Sequence, residues 1–382
     1  MNSNSPLSLY IHVPFCIKKC RYCDFYSERC ENPVIDKFID AFIREWDLVK
    51  NTYGLEGVPI TTLFFGGGTP SLLTRMQWNK IHDGLIKRLS LADDFEWSIE
   101  CNPDSFSVEK AKFWKSYGVT RLTFGVQSFN ERELLVLGRA HTAKRACEVL
   151  SEPVLTSFRS IGIDLMYGLP GQTPHTMEAS LDAVFSHSVV NHLSLYELTI
   201  GDRTAFGRHR GLLPVPNEDA ITRMTQTIAH ETREHGFARY EVSNFARPGH
   251  ISRHNIAYWR HAPYIGLGPS AHSYLPPARF SNINNILRYI TLIGQGKLPV
   301  DFSENIDPET MSREMVFLGL RTVEGIHEDR FYENTGTLFC SAERKPLLEK
   351  FIRQECIVYR RPFWALTEKG MLFADAVARD LI

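Results

Sequence analysis

Three cysteines lie close together near the start of the chain, in the stretch YIHVPFCIKKCRYCDF at residues 10–25. Cys16, Cys20 and Cys23 have the spacing C-x3-C-x2-C and come directly after a short apolar run. A four-iron cluster takes one cysteine thiolate at each iron, so three cysteines would leave one iron open to a small molecule. Several thiolates on one short loop also favour a soft, sulfur-binding metal centre. The spacing therefore predicts an iron–sulfur site with one open iron.

Two other roles for these cysteines stay open at this point. Structural zinc takes four protein ligands and usually shows paired C-x2-C units. The chain has no second pair, although His12 could supply a fourth ligand. A disulfide would need an oxidising compartment, which nothing else in the sequence indicates. Cys30 follows nearby, and we interpret it as structural rather than ligating.

The elements that must position this loop alternate regularly between short apolar runs and amphipathic runs. LSLYIHV at 7–13 is typical of a strand, and Val34, Phe38, Phe42 and Trp46 form an apolar stripe at helical spacing. Six such strand–helix units in succession predict a parallel sheet with right-handed helical crossovers. Polar or glycine residues end each strand, where barrel proteins assemble their sites. We therefore expect an α/β fold built on a partial (β/α)6 TIM-like barrel.

The pattern changes after about residue 237, where the chain becomes rich in Gly, Pro, His and aromatic residues with little periodicity. Further helices are predicted near 283–296 and 308–322, and the tail carries the short strands CIVYRR and FWALT between helices. That order fits a small winged-helix-like unit. We expect two domains, a partial barrel at 1–237 and a C-terminal α+β domain at 238–382.

Composition and charge narrow the class of protein. The formal net charge is -1, whereas a general nucleic-acid binder shows a basic excess. No apolar run is long enough to span a bilayer, and MNSNSPLSL lacks the basic segment and apolar core of a secretory signal. The eight cysteines are too scattered for a disulfide framework. We expect a soluble, cytoplasmic protein that does not bind nucleic acid.

A glycine-rich loop, GGGTP, follows the second predicted strand. Gly66, Gly67 and Gly68 carry no side chain, so a ligand could approach the backbone closely. The loop lacks the Lys-Ser/Thr ending of a phosphate-binding loop, and it could instead bind an amino or carboxylate group through its peptide groups. A tight turn without a ligand is the alternative.

Four polar residues lie at or near the ends of the next strands. Glu100 ends the third strand and Gln127 ends the fourth; Asp164 lies within the fifth, and Arg139 follows the fourth. Each alone is an ordinary strand-end residue. Together they suit a zwitterionic, hydroxyl-rich ligand, with carboxylates for an ammonium group and ribose hydroxyls and an arginine for a carboxylate. S-adenosylmethionine has all of these groups, and its amino and carboxylate groups could also chelate the open iron.

These motifs resemble those of a known group of proteins. C-x3-C-x2-C, GGGTP, the strand-end glutamate and the six β–α units are similar to the radical SAM superfamily. More narrowly, IHVPFC-x3-C-x2-C, GGGTPS, GVQSF and IDLMYGLPGQT resemble the oxygen-independent coproporphyrinogen III oxidase-like family. The resemblance covers nearly the whole chain, including GLRTVEGI in its C-terminal part.

The resemblance implies specific cofactors and site residues. Cys16, Cys20 and Cys23 would hold a [4Fe–4S] cluster. The implied S-adenosylmethionine site is lined by Tyr10, Gly67, Gly68, Thr69, Glu100, Gln127, Arg139 and Asp164. The implied chemistry is one-electron reduction of the sulfonium to a 5'-deoxyadenosyl radical, while the protein orients the cofactors and excludes competing reactions.

Two departures from the dehydrogenases of this family indicate one branch of it. Those enzymes carry a fourth cysteine two residues after the third, where this chain has Phe25. They also have a longer N-terminal arm before the cluster, whereas only fifteen residues precede Cys16 here. Both features match the haem chaperone branch, HemW, whose other hallmark H-N-x-x-Y-W is HNIAYW at 254–259 here. The branch implies binding of haem and its delivery to haem-requiring respiratory enzymes. Oxidative decarboxylation of coproporphyrinogen III to protoporphyrinogen IX stays the alternative.

The residues of HNIAYW also suit haem by their own chemistry. His254 can ligate haem iron, and Tyr258 and Trp259 offer flat apolar faces to a porphyrin. Asn255 completes this candidate haem motif. Further histidines lie nearby, at positions 250, 261 and 272. A loop packed on the barrel by its aromatic residues is an equal alternative from the sequence alone, and a peripheral membrane contact and a homodimer stay open.

Overall fold

The computed structural model describes residues 6–29 and 31–382. Residues 1–5 and Cys30 lie outside the described part. The start of the stretch MNSNSPLSL, which we interpreted as lacking a secretory signal, and the structural role predicted for Cys30 therefore lie outside it as well. Within the described part, no helix is both long enough and apolar enough to cross a membrane.

The strands of the described residues begin directly before the cysteine loop and continue to the tail. They are β1 (Leu7–Val13), β2 (Ile60–Gly67), β3 (Leu91–Cys101), β4 (Arg121–Gln127), β5 (Ser160–Tyr167), β6 (His192–Glu197), β7 (Ala238–Arg239), β8 (Asn244–Ala246), β9 (Tyr264–Leu267), β10 (His272–Leu275), β11 (Ala278–Asn282), β12 (Val300–Asn305), β13 (Ile326–His327), β14 (Ile357–Arg360) and β15 (Phe363–Leu366).

The α-helices alternate with the first six strands and then dominate the C-terminal part. They are α1 (Asn32–Tyr53), α2 (Arg75–Gly84), α3 (Val108–Tyr117), α4 (Glu131–Leu137), α5 (Ala143–Leu150), α6 (Pro174–Phe185), α7 (Ala205–Arg208), α8 (Glu218–Glu234), α9 (Arg253–Trp259), α10 (Ile286–Gly294), α11 (Pro308–Gly319), α12 (Glu328–Thr335), α13 (Lys345–Arg353), α14 (Glu368–Met371) and α15 (Ala374–Leu381).

Strands β1 to β6 form a parallel sheet in which each strand lies beside its successor in the chain. This order confirms the predicted α/β fold with a partial barrel of six strand–helix units. At one edge β9 pairs in parallel with β1, and β10 to β12 continue antiparallel. At the other edge β8 and β7 continue antiparallel from β6. The carboxyl ends of the six parallel strands therefore lie at one rim of the sheet.

The C-terminal part has a hydrophobic core of its own. Helices α11 to α15 pack with a small sheet of order β13-β15-β14 around buried Phe331, Phe339 and Leu348. The tail thus has helices followed by a short antiparallel hairpin and further helices, as the sequence predicted. The domain boundary expected at residue 237 stays a prediction, and strands from beyond it join the main sheet.

The segment 238–282, which showed little periodicity, contains short elements rather than an irregular loop. Its strands β7 to β11 are two to five residues long, and helix α9 has seven residues. Elements this short do not complete enough periods to leave a pattern in the sequence. The sequence therefore missed α9, which carries the HNIAYW motif.

Aromatic side chains lock the first helices onto the strands. Trp78 of α2 lies between Phe65 of β2 and Trp114 of α3, with ring centroids 5.0 and 6.1 Å away. Trp78, Trp97 and Trp114 are all fully buried. Because these rings bury large apolar areas with defined geometry, they fix where β2 and β3 end, and so where the strand-end residues lie.

Buried Glu45 ties helix α1 to the strands that follow α9. Its carboxylate accepts hydrogen bonds from the backbone N–H of Gly268 (2.8 Å), from Asn282 Nδ2 (2.5 Å) and from the Tyr289 hydroxyl. Gly268 has φ +98°, and a Cβ there would lie 2.5 Å from the carbonyl oxygen of His12. Glu45 therefore holds the end of β9 against α1, and Gly268 packs closely against the end of β1.

We predict that Glu45→Gln flattens the pH dependence of stability. Burial raises the pKa of Glu45 to about 7 from an ordinary value of 4.5. Between those two pH values the folded chain keeps a proton that the unfolded chain releases, so the contribution of Glu45 to stability falls as pH rises. The glutamine of the variant does not titrate. The difference in unfolding free energy, native minus variant, should therefore fall by about 2 kcal/mol between about pH 5 and about pH 7.5.

Urea unfolding followed by tryptophan fluorescence at both pH values measures this difference. Glu178→Gln, at an exposed position of α6, is the matched control and should show no pH-dependent difference. A difference between the native protein and the Glu45→Gln variant that stays constant with pH would contradict the raised pKa.

Candidate functional site

The cysteine loop is fixed to the sheet at both of its ends. The backbone N–H of Cys16 donates to the carbonyl of Glu28 (3.1 Å), and that of Glu28 donates to the carbonyl of Pro14 (2.7 Å). In the middle of the loop, the N–H of Arg21 donates to the carbonyl of Leu137 at the end of α4 (3.0 Å). These bonds place the loop above the carboxyl ends of the parallel strands.

All three cysteines face one cavity of about 380 Å³, which we call the cysteine cavity. The strand-end residues that the sequence singled out line the same cavity. They are Gly67, Gly68, Thr69, Glu100, Gln127, Arg139 and Asp164. The structure therefore brings together all of the expected cluster and S-adenosylmethionine residues except Tyr10.

Two of the sulfur atoms accept hydrogen bonds from side chains that follow β2 and α4. The Thr69 hydroxyl donates to Cys16 Sγ (3.6 Å), and Arg139 Nη1 donates to Cys20 Sγ (3.4 Å). Donors aimed at cysteine sulfur stabilise the thiolate form and are a recognised means by which proteins tune iron–sulfur centres. The donor set of this cavity therefore fits a thiolate-held cluster.

Asn102, which the sequence reasoning missed, links these two donors. Its Nδ2 donates to the Thr69 hydroxyl (3.0 Å), and its Oδ1 accepts from Arg139 Nη2 (2.7 Å). Arg139 also donates to the carbonyl of Gly125, while its buried Nε has no partner among the described residues. Asn102 follows Glu100 by two residues at the same strand end, so the rule that singled out Glu100 could have found it.

The glycines of the GGGTP loop allow the chain to pack against itself. A Cβ on Gly67, whose φ is +98°, would lie 2.3 Å from the His12 ring, and one on Gly68 would lie 2.6 Å from the carbonyl oxygen of Val13. The space expected for a ligand at these two positions is therefore filled by residues of β1. The two glycines nevertheless border the cysteine cavity through their backbone.

His12 does not face the cysteine cavity. Its Nε2 bonds to the carbonyl of Tyr26 (2.8 Å), and its Nδ1 bonds to the Tyr10 hydroxyl (3.1 Å). Over residues 6–29 and 31–382, no group of three His, Cys, Asp or Glu side chains is placed to hold a single metal ion. His12 is therefore not placed to be the fourth ligand of a zinc site formed with the three cysteines.

A second cavity, of about 680 Å³, adjoins the first; we call it the aromatic cavity. Tyr10, Phe64, Tyr258, Tyr264 and Tyr274 contribute aromatic rings to its wall. It shares residues with the cysteine cavity. The shared residues are Phe25, Glu100, Asp164 and Tyr196. Tyr196 lies near the end of β6 and was missed in the sequence, although it follows the same strand-end rule.

The two carboxyl groups between the cavities are shifted toward their protonated forms. Burial, with a further contribution from Asp164, raises the pKa of Glu100 to about 8. Burial raises the pKa of Asp164 to about 6, against the opposing effects of a hydrogen bond from Ser194 and of the Arg139 charge. Near neutral pH, Glu100 therefore holds a proton that it can donate to a ligand oxygen, while Asp164 is ionised and attracts an ammonium group.

Helix α9 presents part of the HNIAYW motif to the aromatic cavity. His254, Asn255 and Tyr258 line it, whereas Trp259 borders a separate space of about 30 Å³. His254 is buried, and burial lowers its pKa to about 3. Its Nδ1 bonds to the Thr62 hydroxyl (2.7 Å) and its Nε2 to the Tyr258 hydroxyl (3.0 Å), so both ring nitrogens have protein partners.

A buried ion pair holds the start of α9. Arg121 of β4 and Glu96 of β3 are 3.3 Å apart and 3% and 5% exposed. Arg121 also donates to the carbonyls of residues 250 and 251. Glu96 accepts from the backbone N–H groups of Arg253 (3.0 Å) and His254 (3.3 Å). The ion pair thereby fixes the helix that carries the candidate haem motif against the inner face of the barrel.

Two family models match the chain. That of the Radical SAM superfamily matches residues 10–184, and that of the HemN C-terminal domain matches residues 306–373. The first match includes the cysteine loop and strands β2 to β5. The second covers most of the C-terminal core described above.

A solved structure shares this fold. Coproporphyrinogen III oxidase (HemN) from Escherichia coli, described as a radical SAM enzyme, superposes with a TM-score of 0.84 and is 23% identical, covering 99% of this chain and 90% of that one. At this level of identity the likeness shows the fold alone.

Curated relatives match along nearly their whole length. The protein named Heme chaperone HemW from Bacillus subtilis (strain 168) is 35% identical over 380 residues, which cover 97% of each chain. Its namesake from Escherichia coli (strain K12) is 33% identical over 380 residues, again covering 97% of each chain. Identity at this level over both chains, together with the superfamily match, shows that the chain belongs to the HemW family within the radical SAM superfamily.

Proposed function

We propose that this chain is a haem chaperone that binds haem in the aromatic cavity and passes it to another protein. The observation that carries the proposal is that His254, Asn255 and Tyr258 line an aromatic cavity of about 680 Å³. That volume lies within the range of pockets that enclose a cofactor-sized ligand. Membership of the HemW family supports the same function.

The cysteine cavity is the proposed site of a [4Fe–4S] cluster and S-adenosylmethionine, the cofactors of the radical SAM superfamily. Cys16, Cys20 and Cys23 would hold the cluster. Gly67, Gly68, Thr69, Glu100, Gln127, Arg139 and Asp164 would surround the S-adenosylmethionine. Bound together, the two cofactors supply one-electron reduction of a sulfonium. We retain Tyr10 as a residue that closes the site from the aromatic side.

Within this proposal, the chain's own residues hold the cluster and S-adenosylmethionine in one cavity and keep them apart from haem in the other. Thr69 and Arg139 donate to the sulfurs of Cys16 and Cys20 and hold these two in place. Glu100 and Asp164 stand between the cysteine cavity and the aromatic cavity. The rest of the aromatic wall offers stacking surfaces to a porphyrin.

The proposal extends to the partners of the chain. We propose that haem-requiring respiratory enzymes in the cytoplasmic compartment or at its membrane receive the haem, through a peripheral membrane contact, and that a homodimer is the working form. Phe25 is 65% exposed and borders both cavities, so it offers an exposed apolar side chain for contact with a membrane or a partner.

We predict stoichiometric haem binding without turnover of coproporphyrinogen. Protein reconstituted with its cluster should bind haemin one to one through gel filtration. Incubated anaerobically with reductant, S-adenosylmethionine and coproporphyrinogen III, it should form no protoporphyrinogen IX, because Phe25 stands where the dehydrogenases carry a fourth cysteine. Multiple turnovers of coproporphyrinogen would overturn a pure chaperone function in favour of the dehydrogenase.

We predict that Cys20→Ala loses the cluster and keeps the fold. The side chain lies on a loop outside the hydrophobic cores, so its removal takes away an iron ligand without opening a core cavity. Iron and sulfide content and visible absorption measure the cluster, and near-ultraviolet circular dichroism measures the fold. Cys147→Ala, half-buried on α5 and away from the cysteine cavity, is the control. A Cys20→Ala protein that does not fold would show a structural role instead.

We predict that Arg139→Met makes the cluster harder to reduce. The substitution removes a positive charge and the N–H donor to Cys20 Sγ, and both stabilise the reduced, more negative cluster. A redox titration followed by electron paramagnetic resonance should give a more negative midpoint than in the native protein. Arg145→Met should leave the midpoint unchanged, because Arg145 does not border the cysteine cavity; its guanidinium donates to the carbonyls of Pro103 and Phe106 and lies 3.6 Å from the Glu148 carboxylate. An unchanged midpoint in the Arg139→Met protein would mean that Arg139 does not act on the cluster.

A further inference from the structure

Haem iron needs a ligand, and five histidines line the aromatic cavity. They are His12, His192, His254, His261 and His272. A ring nitrogen can bind iron only if it is accessible and not already held by a protein partner. The hydrogen bonds of each ring therefore decide which histidine can serve.

His12 and His254 have no ring nitrogen to offer. The nitrogens of His12 bond to Tyr26 and Tyr10, and those of His254 bond to Thr62 and Tyr258. An iron–His254 bond would cost the Tyr258 hydroxyl its partner inside a buried site, which is unfavourable. His254 instead fixes the ring of Tyr258, which meets Tyr264 edge-on with centroids 4.6 Å apart.

His192 and His261 are restrained as well. His192 bonds through Nε2 to the Tyr240 hydroxyl (2.8 Å), and its Nδ1, which has no partner in residues 6–29 and 31–382, is buried against Gly162. His261 bonds through Nε2 to the Glu314 carboxylate (2.9 Å). His192 is 2% exposed and the His261 side chain 9%, so neither ring is as accessible to a large ligand as an exposed histidine.

His272 differs from these four. It begins β10 and is exposed, at the rim of the aromatic cavity rather than in its depth. Among the described residues, no hydrogen bond to its imidazole is seen. Burial of part of the ring, with a smaller effect of the Arg279 charge, lowers its pKa, so the imidazole is neutral and able to bind a metal near neutral pH.

The surroundings of His272 suit a porphyrin. Tyr274 follows on the same strand, and its ring centroid lies 6.4 Å from that of Tyr264. The ring of Tyr264 in turn contacts that of Tyr258. A row of aromatic rings thus runs from β10 into the cavity toward α9. Such a row offers apolar faces to a large flat ligand whose iron is held at the rim.

We propose that His272 is the residue that ligates haem iron, and that His254 is a positioning residue for Tyr258. This inference rests on the haem-binding function proposed above and names the iron site within it. A ligand at the rim also suits transfer, because an acceptor can approach the iron without the cavity opening.

The test compares haemin binding by the cluster-loaded native protein and three variants. His272→Ala should lower haemin affinity by at least roughly tenfold, since loss of even a supporting group at a metal site costs about that much. It should also change the Soret band and the ferric electron paramagnetic resonance spectrum, and added imidazole should restore both. His254→Ala should keep the native iron spectrum. His230→Ala, exposed on α8, controls for loss of a surface histidine and should match the native protein.

Each outcome decides the matter. A native iron spectrum and affinity in the His272→Ala protein, with the native protein binding haemin one to one, would overturn the His272 assignment and leave the proposed function standing. Loss of the imidazole signature in the His254→Ala protein but not in the His272→Ala protein would move the ligand to His254. Failure of the native protein to bind haemin in stoichiometric amount would overturn the proposed function and this inference together.

Discussion

The ion pair between Arg121 and Glu96 is the interaction on which the inner architecture depends. Each partner is almost wholly buried, so removal of either would leave a charge unpaired in a medium that solvates it poorly. Between them the two side chains bind strands β3 and β4, two carbonyls of the incoming segment and the first N–H groups of α9. The helix is only seven residues long, too short to be stable in isolation, so it depends on such tertiary contacts. Its position inside the barrel, and hence the floor of the aromatic cavity, follows from this pair.

The cysteine loop and the strand ends could be predicted from the sequence because both are local signals with a simple spatial consequence. C-x3-C-x2-C fixes three thiols on one loop, and parallel strands bring Glu100, Gln127 and Asp164 to one rim whatever the details of packing. The sequence does not indicate which cavity a given aromatic side chain faces. Tyr10 and Trp259 were assigned by motif alone, yet Tyr10 faces the aromatic cavity and Trp259 faces neither of the two large cavities. Those orientations depend on contacts between segments far apart in the chain.

The glycine-rich loop shows a related limit of motif reasoning. Three glycines in a row suggested room for a ligand, but the absent side chains at positions 67 and 68 make room for His12 and for the backbone at the end of β1. Glu45 could not have been found in any pattern, since its partners lie more than 220 residues away, after β9, on β11 and on α10. Both cases concern contacts around β1, which lies between β2 and β9 in the sheet. The long-range contacts that close the fold are the part that a local pattern does not contain.

Glu100 and Asp164 border both cavities, and this placement has a thermodynamic consequence. A cation that enters the cysteine cavity favours the charged forms of these two carboxyl groups. The changed charge then acts on the ligand in the aromatic cavity. Occupancy of the two cavities is thus linked through proton release, without any movement of the backbone. Because linkage is reciprocal, cargo in one cavity must alter cofactor affinity in the other by the same factor. Near neutral pH, the proton held by Glu100 therefore couples occupancy of one cavity to occupancy of the other.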